Sequence, residues 1–140
     1  MKVHMLNEEL RQRLAKKISE GEFTAADLPD FLTTFCEICN ESEDIQSEVK
    51  GWNAKLQLDI TDANKFWLRI TDGTFTYGSG EIEAPDTTLR TSGGVAAKVF
   101  TGEKDATSAY TEGSLKIGGN LREALKLRGV IGIVLDNLQG

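Results

Sequence analysis

The sequence predicts an α+β fold, a five-stranded, mostly antiparallel sheet with one face covered by helices. Up to about residue 45 the apolar side chains recur every three to four positions, as on helices. From Glu48 the period drops to two, as in half-buried strands. A last segment is too apolar to stand in water and must be buried against a core, a ligand or a partner.

The first strip is Val3, Leu6, Leu10, Leu14 and Ile18. It is narrow and its other faces are charged, which predicts a surface helix stopping near Gly21. Asp27 offers an N-cap for a second helix, and Pro29 is tolerated in a first turn. Leu28, Phe31, Leu32, Phe35, Ile38 and Cys39 form its broader apolar face. The acidic stretch from Asn40 to Asp44 reads as a solvated end or loop. Residues 1–45 are expected to be an N-terminal helical segment of the same domain that residues 46–140 complete.

In "GWNAKLQLDI" the residues Trp52, Ala54, Leu56, Leu58 and Ile60 share one face against Lys55, Gln57 and Asp59. After turn chemistry at Thr61–Asn64, Phe66, Leu68 and Ile70 continue that face. Asp72-Gly73 is a strong hairpin signal, leading to a third strand with Phe75 and Tyr77. The three make an antiparallel meander with one apolar and one wet side. Trp67 alone stands on the wet side. Pro85–Ser92 reads as a short fourth strand. A small helix with Val95, Val99 and Phe100 follows and ends at Gly102. Asp105 then caps a helical turn carrying Ala109 and Tyr110.

Leu115 and Ile117 alternate as a fifth strand. Gly118-Gly119 then turns into the last helix, with Asn120 and Glu123 spaced as a capping box. Leu121, Ala124, Leu125 and Leu127 begin that helix, and beyond Arg128 it is apolar nearly all round, as "GVIGIVL". Such a segment must be buried on several sides. Gly129 and Gly132 weaken it by roughly 1 kcal/mol each relative to alanine and permit close approach or local movement, as a lid needs.

Composition narrows the function. A net charge of −6 with no basic stripe disfavours nucleic acid. The charged start is no signal peptide, no apolar run is long enough to span a bilayer, and Leu138-Gln139-Gly140 is no Ser-Lys-Leu peroxisomal address. A cytoplasmic protein without integral membrane association is expected. Cys36 and Cys39 form a C-x-x-C inside a helical pattern, and His4 is the lone histidine, so the thiols read as structural and no metal site is expected. No nucleophile with a base and no buried carboxylate pair is visible. Glu112 is the carboxylate to watch, beside Tyr110, although a turn residue is its plainer reading. Gly118-Gly119 has neither Walker nor dinucleotide-loop spacing, which leaves a tight corner. No catalytic residue and no cofactor are implied.

The stretch "DATSAYTEGSLKIGGNLREALKL" resembles the C-terminal signature of the sterol carrier protein type-2 family. The matching positions are Tyr110, Gly113, Leu115, Lys116, Ile117, Gly119, Asn120, Leu121, Ala124, Lys126 and Leu127. "PDTTLRTSGGVAAKVFTGEKD" and "LQLDITDANKFWLRITDGTF" are similar to the family's strand–helix connection and opening hairpin. The likeness runs from about residue 48 to 138 and leaves the first two helices unaligned.

The resemblance implies a hydrophobic tunnel between sheet and helices, non-enzymatic binding of lipids, and movement of the last helix to admit them. The missing peroxisomal tail fits a prokaryotic or cytosolic member and favours acyl chains (fatty acid or acyl-CoA) over sterol. Tunnel walls are expected from Leu56, Leu58, Phe66, Leu68 and Phe75 on the sheet. Val99, Phe100, Tyr110, Leu121, Leu125, Ile131 and Leu135 would face them from the helices. Core packing explains each of these residues equally well. The alternative function is an accessory interaction module whose apolar C-terminal helix docks a partner or forms a homodimer.

Overall fold

The computed structural model describes the backbone of residues 2–139 and the side chains of residues 7–139, so the side chains of Val3, His4 and Leu6 lie outside the described residues. The chain runs α1 (Lys2–Ser19), a 3-10 turn (Ala25–Asp27), α2 (Leu28–Glu41), α3 (Glu43–Glu48), β1 (Ala54–Ile60), β2 (Phe66–Thr71) and β3 (Thr74–Ser79). It continues through β4 (Thr87–Thr91), α4 (Gly93–Phe100), α5 (Ala106–Glu112), β5 (Leu115–Gly119) and α6 (Leu121–Gln139). The strand order is β3-β2-β1-β4-β5, with β1 and β4 parallel and the other neighbours antiparallel. The expected α+β architecture and its mostly antiparallel five-stranded sheet are what the chain forms.

Three local expectations are corrected. The acidic stretch is the solvated end of α2 through Glu41 but not a loop beyond it, because Ser42 accepts a hydrogen bond from the Ile45 N–H and starts α3. Glu43 and Asp44 then sit in a first turn, where the helix dipole favours negative charge, and Ile45 and Val49 are fully buried. Asp27 does not cap α2 through its side chain, because the 3-10 turn already holds its backbone helical. Its carboxylate instead accepts from the Thr24 N–H at 2.9 Å and from Lys17 Nζ at 2.8 Å, tying α1 to the start of α2. The Asn120–Glu123 capping box is absent as well. The Asn120 N–H donates to the Asp86 carbonyl, Asn120 Oδ1 accepts from the Arg122 N–H, and Glu123 accepts from the Trp52 indole.

The inner face of the sheet follows the period of two: Leu56, Leu58 and Ile60 of β1, Phe66, Leu68 and Ile70 of β2 and Phe75 of β3 are all buried. The β2–β3 hairpin places both Asp72 (φ 48°) and Gly73 (φ 81°) in the left-handed region, as the two-residue turn requires. Helix α2 lays Phe31 and Phe35 on the inner face, and Phe23, Phe31, Phe35, Phe75 and Trp52 form a chain of ring contacts at 5.6–6.0 Å. Each such pair is worth about 0.5–1.5 kcal/mol beyond its buried area. Asn40 of α2 occupies part of the open edge of β3, donating to the Phe75 carbonyl and accepting from the Phe75 N–H.

The outer face is largely open to solvent, with Arg69, Thr76, Arg90 and Lys116 exposed, and is covered by the chain only around Gln57. Gln57 is buried there: its amide nitrogen donates to the Phe66 and Gly80 carbonyls, and its oxygen accepts from the Ile82 N–H. These bonds hold the β3–β4 connection across the sheet. Trp67 lies flat over Gly78, where any Cβ would fall 2.3 Å from the ring, and the Arg69 guanidinium stands 5.9 Å from the ring centroid.

Candidate functional site

Between the β1/β4/β5 half of the sheet and helices α4, α5 and α6 lies an apolar cavity of about 330 Å³. The sheet contributes Leu58 and Ile60 from β1, Leu89 and Thr91 from β4, and Leu115 and Ile117 from β5. Their side chains reach the same space because the parallel register sets Leu58 beside Leu89, and the antiparallel one sets Leu89 beside Ile117. Helix α4 closes the back with Ala96, Val99 and Phe100. Ser92 starts α4 by accepting from the Val95 N–H, and Phe100 packs 5.4 Å from Phe31. That ring forms the wall between the cavity and the aromatic core.

The mouth lies between α5 and the first half of α6. Tyr110 of α5 and Leu121 and Leu125 of α6 are the exposed large hydrophobics among the described residues, at 46%, 44% and 53% exposure, and all three line the cavity. Polar groups on the walls are few. The Thr91 hydroxyl is committed to the Ser114 carbonyl and the Thr111 hydroxyl to the Thr107 carbonyl. Arg128 brings a charge to the rim, where it pairs with Asp105 at 2.7 Å. That pairing holds the Asp105 carboxyl below the usual carboxylate range.

The expected wall residues divide by their place along the sheet. Leu58, Val99, Phe100, Tyr110, Leu121, Leu125 and Ile131 border the cavity. Leu56, Phe66, Leu68 and Phe75 share their alternating face but belong to the core cluster under α2. Leu135 lies one helical turn beyond Ile131, with Cδ1 3.1 Å from where a Cβ on Gly102 would stand. Ile60, Leu89, Thr91, Ala96, Ala106, Leu115 and Ile117 also line the space but are not among the expected wall residues. The strand alternation signalled several of them. Nothing in the sequence showed that β4 would bring Leu89 beside Leu58.

The apolar half of α6 turns inward: Val130, Ile131 and Val134 are buried, and Ile133 and Leu138 pack on the core. Gly129 and Gly132 face outward with no atom within 4 Å of a built Cβ, so close approach among the described residues does not account for them. At its start α6 is anchored through Glu123 to the Trp52 indole, while Lys126 Nζ lies 5.2 Å from the Trp52 ring centroid.

Glu112 points outward and pairs with Lys104 at 2.7 Å; the hydrogen bond from Lys104 holds its carboxyl low. Cys36 and Cys39 are free and buried in α2, where burial pushes the Cys36 thiol up to about 12 and the Cys39 thiol up as well. Neither is poised as a thiolate. Among the described residues there is no group of three or more His, Cys, Asp or Glu that could hold a metal ion, and no helix long and apolar enough to cross a membrane.

The chain superposes on a crystal structure of sterol carrier protein 2 with a TM-score of 0.59 at 18% identity, over 75% of this chain and 93% of that one. Palmitated SCP2L2 from Aedes aegypti gives 0.56 at 14% identity, over 72% and 90%. The stereoselective inverting sec-alkylsulfatase Pisa1 from Pseudomonas sp. gives 0.53 at 19% identity over 62% of this chain, and the chain spans 14% of that enzyme's length. At these identities the likeness is one of fold. No curated protein matches the chain. The family model described as the SCP-2 sterol transfer family matches residues 33–132, from within α2 to the middle of α6.

Proposed function

The chain belongs to the SCP-2 sterol transfer family, and on that premise we propose that it carries a single-tailed acyl lipid, such as a fatty acid or acyl-CoA, without chemical conversion. The observation that supports this reading is the apolar cavity, whose mouth holds the three large hydrophobics that are exposed among the described residues. A 150 Å³ apolar cavity accommodates benzene, so 330 Å³ takes roughly a dozen carbons. At about 0.8 kcal/mol per methylene, twelve carbons gain about 10 kcal/mol. Association costs of at least about 4 kcal/mol leave at most about 6, a Kd in the tens of micromolar from the tail alone. Tighter binding requires contacts to the head group.

In this reading the walls are Leu58, Val99, Phe100 and Ile131 together with Leu89, Leu115 and Ile117, and the tail passes between Tyr110 and Leu125. The protein acts as a cytoplasmic carrier, and residues 1–45 serve the domain by completing its core. The rival accessory module loses its proposed docking surface, because the apolar half of α6 is largely spent inside the chain.

Titration with a fluorescent fatty acid tests the proposal, alongside native mass spectrometry of co-purified lipid. Ile117→Trp places a larger ring in the cavity from the edge strand and is expected to weaken the probe at least tenfold with little change in thermal midpoint. A wild-type protein that neither co-purifies with lipid nor binds the probe would sink the carrier reading.

A further inference from the structure

Arg128 is the one charged residue among the described residues that line the cavity. It follows Leu121 and Leu125 on α6 at helical spacing, so the guanidinium and the two exposed leucines share the mouth. Its Nε and one terminal nitrogen, at 2.9 and 2.7 Å, both reach a single oxygen, Asp105 Oδ1. The other carboxylate oxygen accepts from the Ser108 N–H at 3.3 Å. The side chains are 50% and 43% exposed. A guanidinium carries five N–H donors in a planar fork, so this contact leaves other donors of Arg128 for a second acceptor.

We propose that Arg128 is the head-group anchor of the cavity, and that the matching ligand is a single-tailed lipid with an anionic oxygen head, a carboxylate or a phosphate monoester. Asp105 is then an internal competitor that holds the guanidinium at the mouth in the empty protein. The inference rests on the tail-binding reading given above. An oxyanion at this point brings a full negative charge and two or more acceptor oxygens to the fork, whereas a hydroxyl head brings one uncharged acceptor and leaves the Arg128–Asp105 pair in place. The remaining wall residues carry no charge, so head-group discrimination falls to this residue.

A pair that merely braces α5 against α6 makes a different prediction. Loss of either partner would then loosen the mouth in the same way, and acid and alcohol ligands would shift together. An anchor with an internal competitor gives opposite signs.

The test is displacement of a fluorescent fatty acid by dodecanoate, dodecyl phosphate and dodecanol in wild type, Arg128→Gln and Asp105→Asn, with thermal midpoints as a fold control. Arg128→Gln is expected to weaken at least one of the two anions about tenfold, and Asp105→Asn to strengthen that anion several-fold. Dodecanol is expected to stay within twofold throughout. The anion with the larger loss in Arg128→Gln identifies the head. Equal shifts of anions and alcohol, or unchanged anion binding in Arg128→Gln, would overturn the anchor while leaving tail binding intact. A wild-type protein that binds none of the three would instead remove the tail-binding reading, and the anchor with it.

Discussion

Replacing Gly119 by alanine tests the corner that joins β5 to α6. Gly119 has φ +82°, and a Cβ built there falls 2.3 Å from the Asp86 carbonyl oxygen, 3.2 Å from its carbon and 3.3 Å from Thr87 Cα. Those atoms are backbone and cannot rotate away. The left-handed conformation costs an alanine about 1–2 kcal/mol. Overpacking against rigid backbone adds about 1–3 kcal/mol. The same Asp86 oxygen accepts the Asn120 N–H at 3.0 Å, so displacing it gives up about 1 kcal/mol more. The sum is about 3–6 kcal/mol, against a total stability of about 5–15 kcal/mol.

At roughly 3 °C per kcal/mol for a chain of this length, the thermal midpoint should fall by about 10 °C or more. The neighbouring Gly118 is the control, since its φ is not positive and nothing lies within 4 Å of its built Cβ. Gly118→Ala should leave the midpoint unchanged or raise it slightly, because alanine loses less conformational freedom on folding. Calorimetry of the two variants decides the matter. A Gly119→Ala midpoint within 3 °C of wild type, or an equal fall in Gly118→Ala, would refute the reasoning.

Two further outcomes are expected. Burial alone pushes the Asp27 carboxyl up, but hydrogen bonds from Lys17 and the Thr24 N–H outweigh it and hold the group below its ordinary 3.8. A depressed pKa stabilises fully above about pH 4 and is lost as pH falls through the folded value. Asp27→Asn should therefore cost roughly 1–2 kcal/mol in urea unfolding at pH 7, with the gap to wild type narrowing below pH 4; a gap independent of pH would contradict this. Cys36 and Cys39 should resist a thiol reagent at pH 8 in the native state and react fully in urea, and rapid native labelling would show that α2 opens where the packing says it is closed.

Strands were the most legible part of the sequence, because one buried face at period two leaves a mark at every second residue from Ala54 to Ile60 and again from Phe66 to Ile70. Helix α3 left almost none: in its six residues Ile45 is the single buried apolar side chain, and the acidic first turn looks like solvated loop until Ser42 is seen to cap it. The Asn120–Glu123 spacing was legible but misleading, since Trp52, 71 residues away in sequence, claims the carboxylate. The candidate site was half legible for a related reason. Alternation assigns Leu56 and Leu58 to the same face with equal force. What separates them is position along the strand: both belong to the core cluster, but only Leu58 also borders the cavity under α4–α6. That difference follows from the parallel β1–β4 pairing, a long-range contact with no local signature.

The contact between Trp52 and the start of α6 has an optical consequence. An indole whose N–H meets the Glu123 carboxylate, with the Lys126 ammonium 5.2 Å from its ring, emits according to the local field and hydration of those groups. The other tryptophan, Trp67, rests on Gly78 on the opposite side of the sheet. Any displacement of the first turns of α6 thus acts on one chromophore and not on the second. In a Trp67→Phe variant Trp52 is the sole tryptophan, and a change in its emission on adding lipid would report a displacement at the start of α6 without a dye.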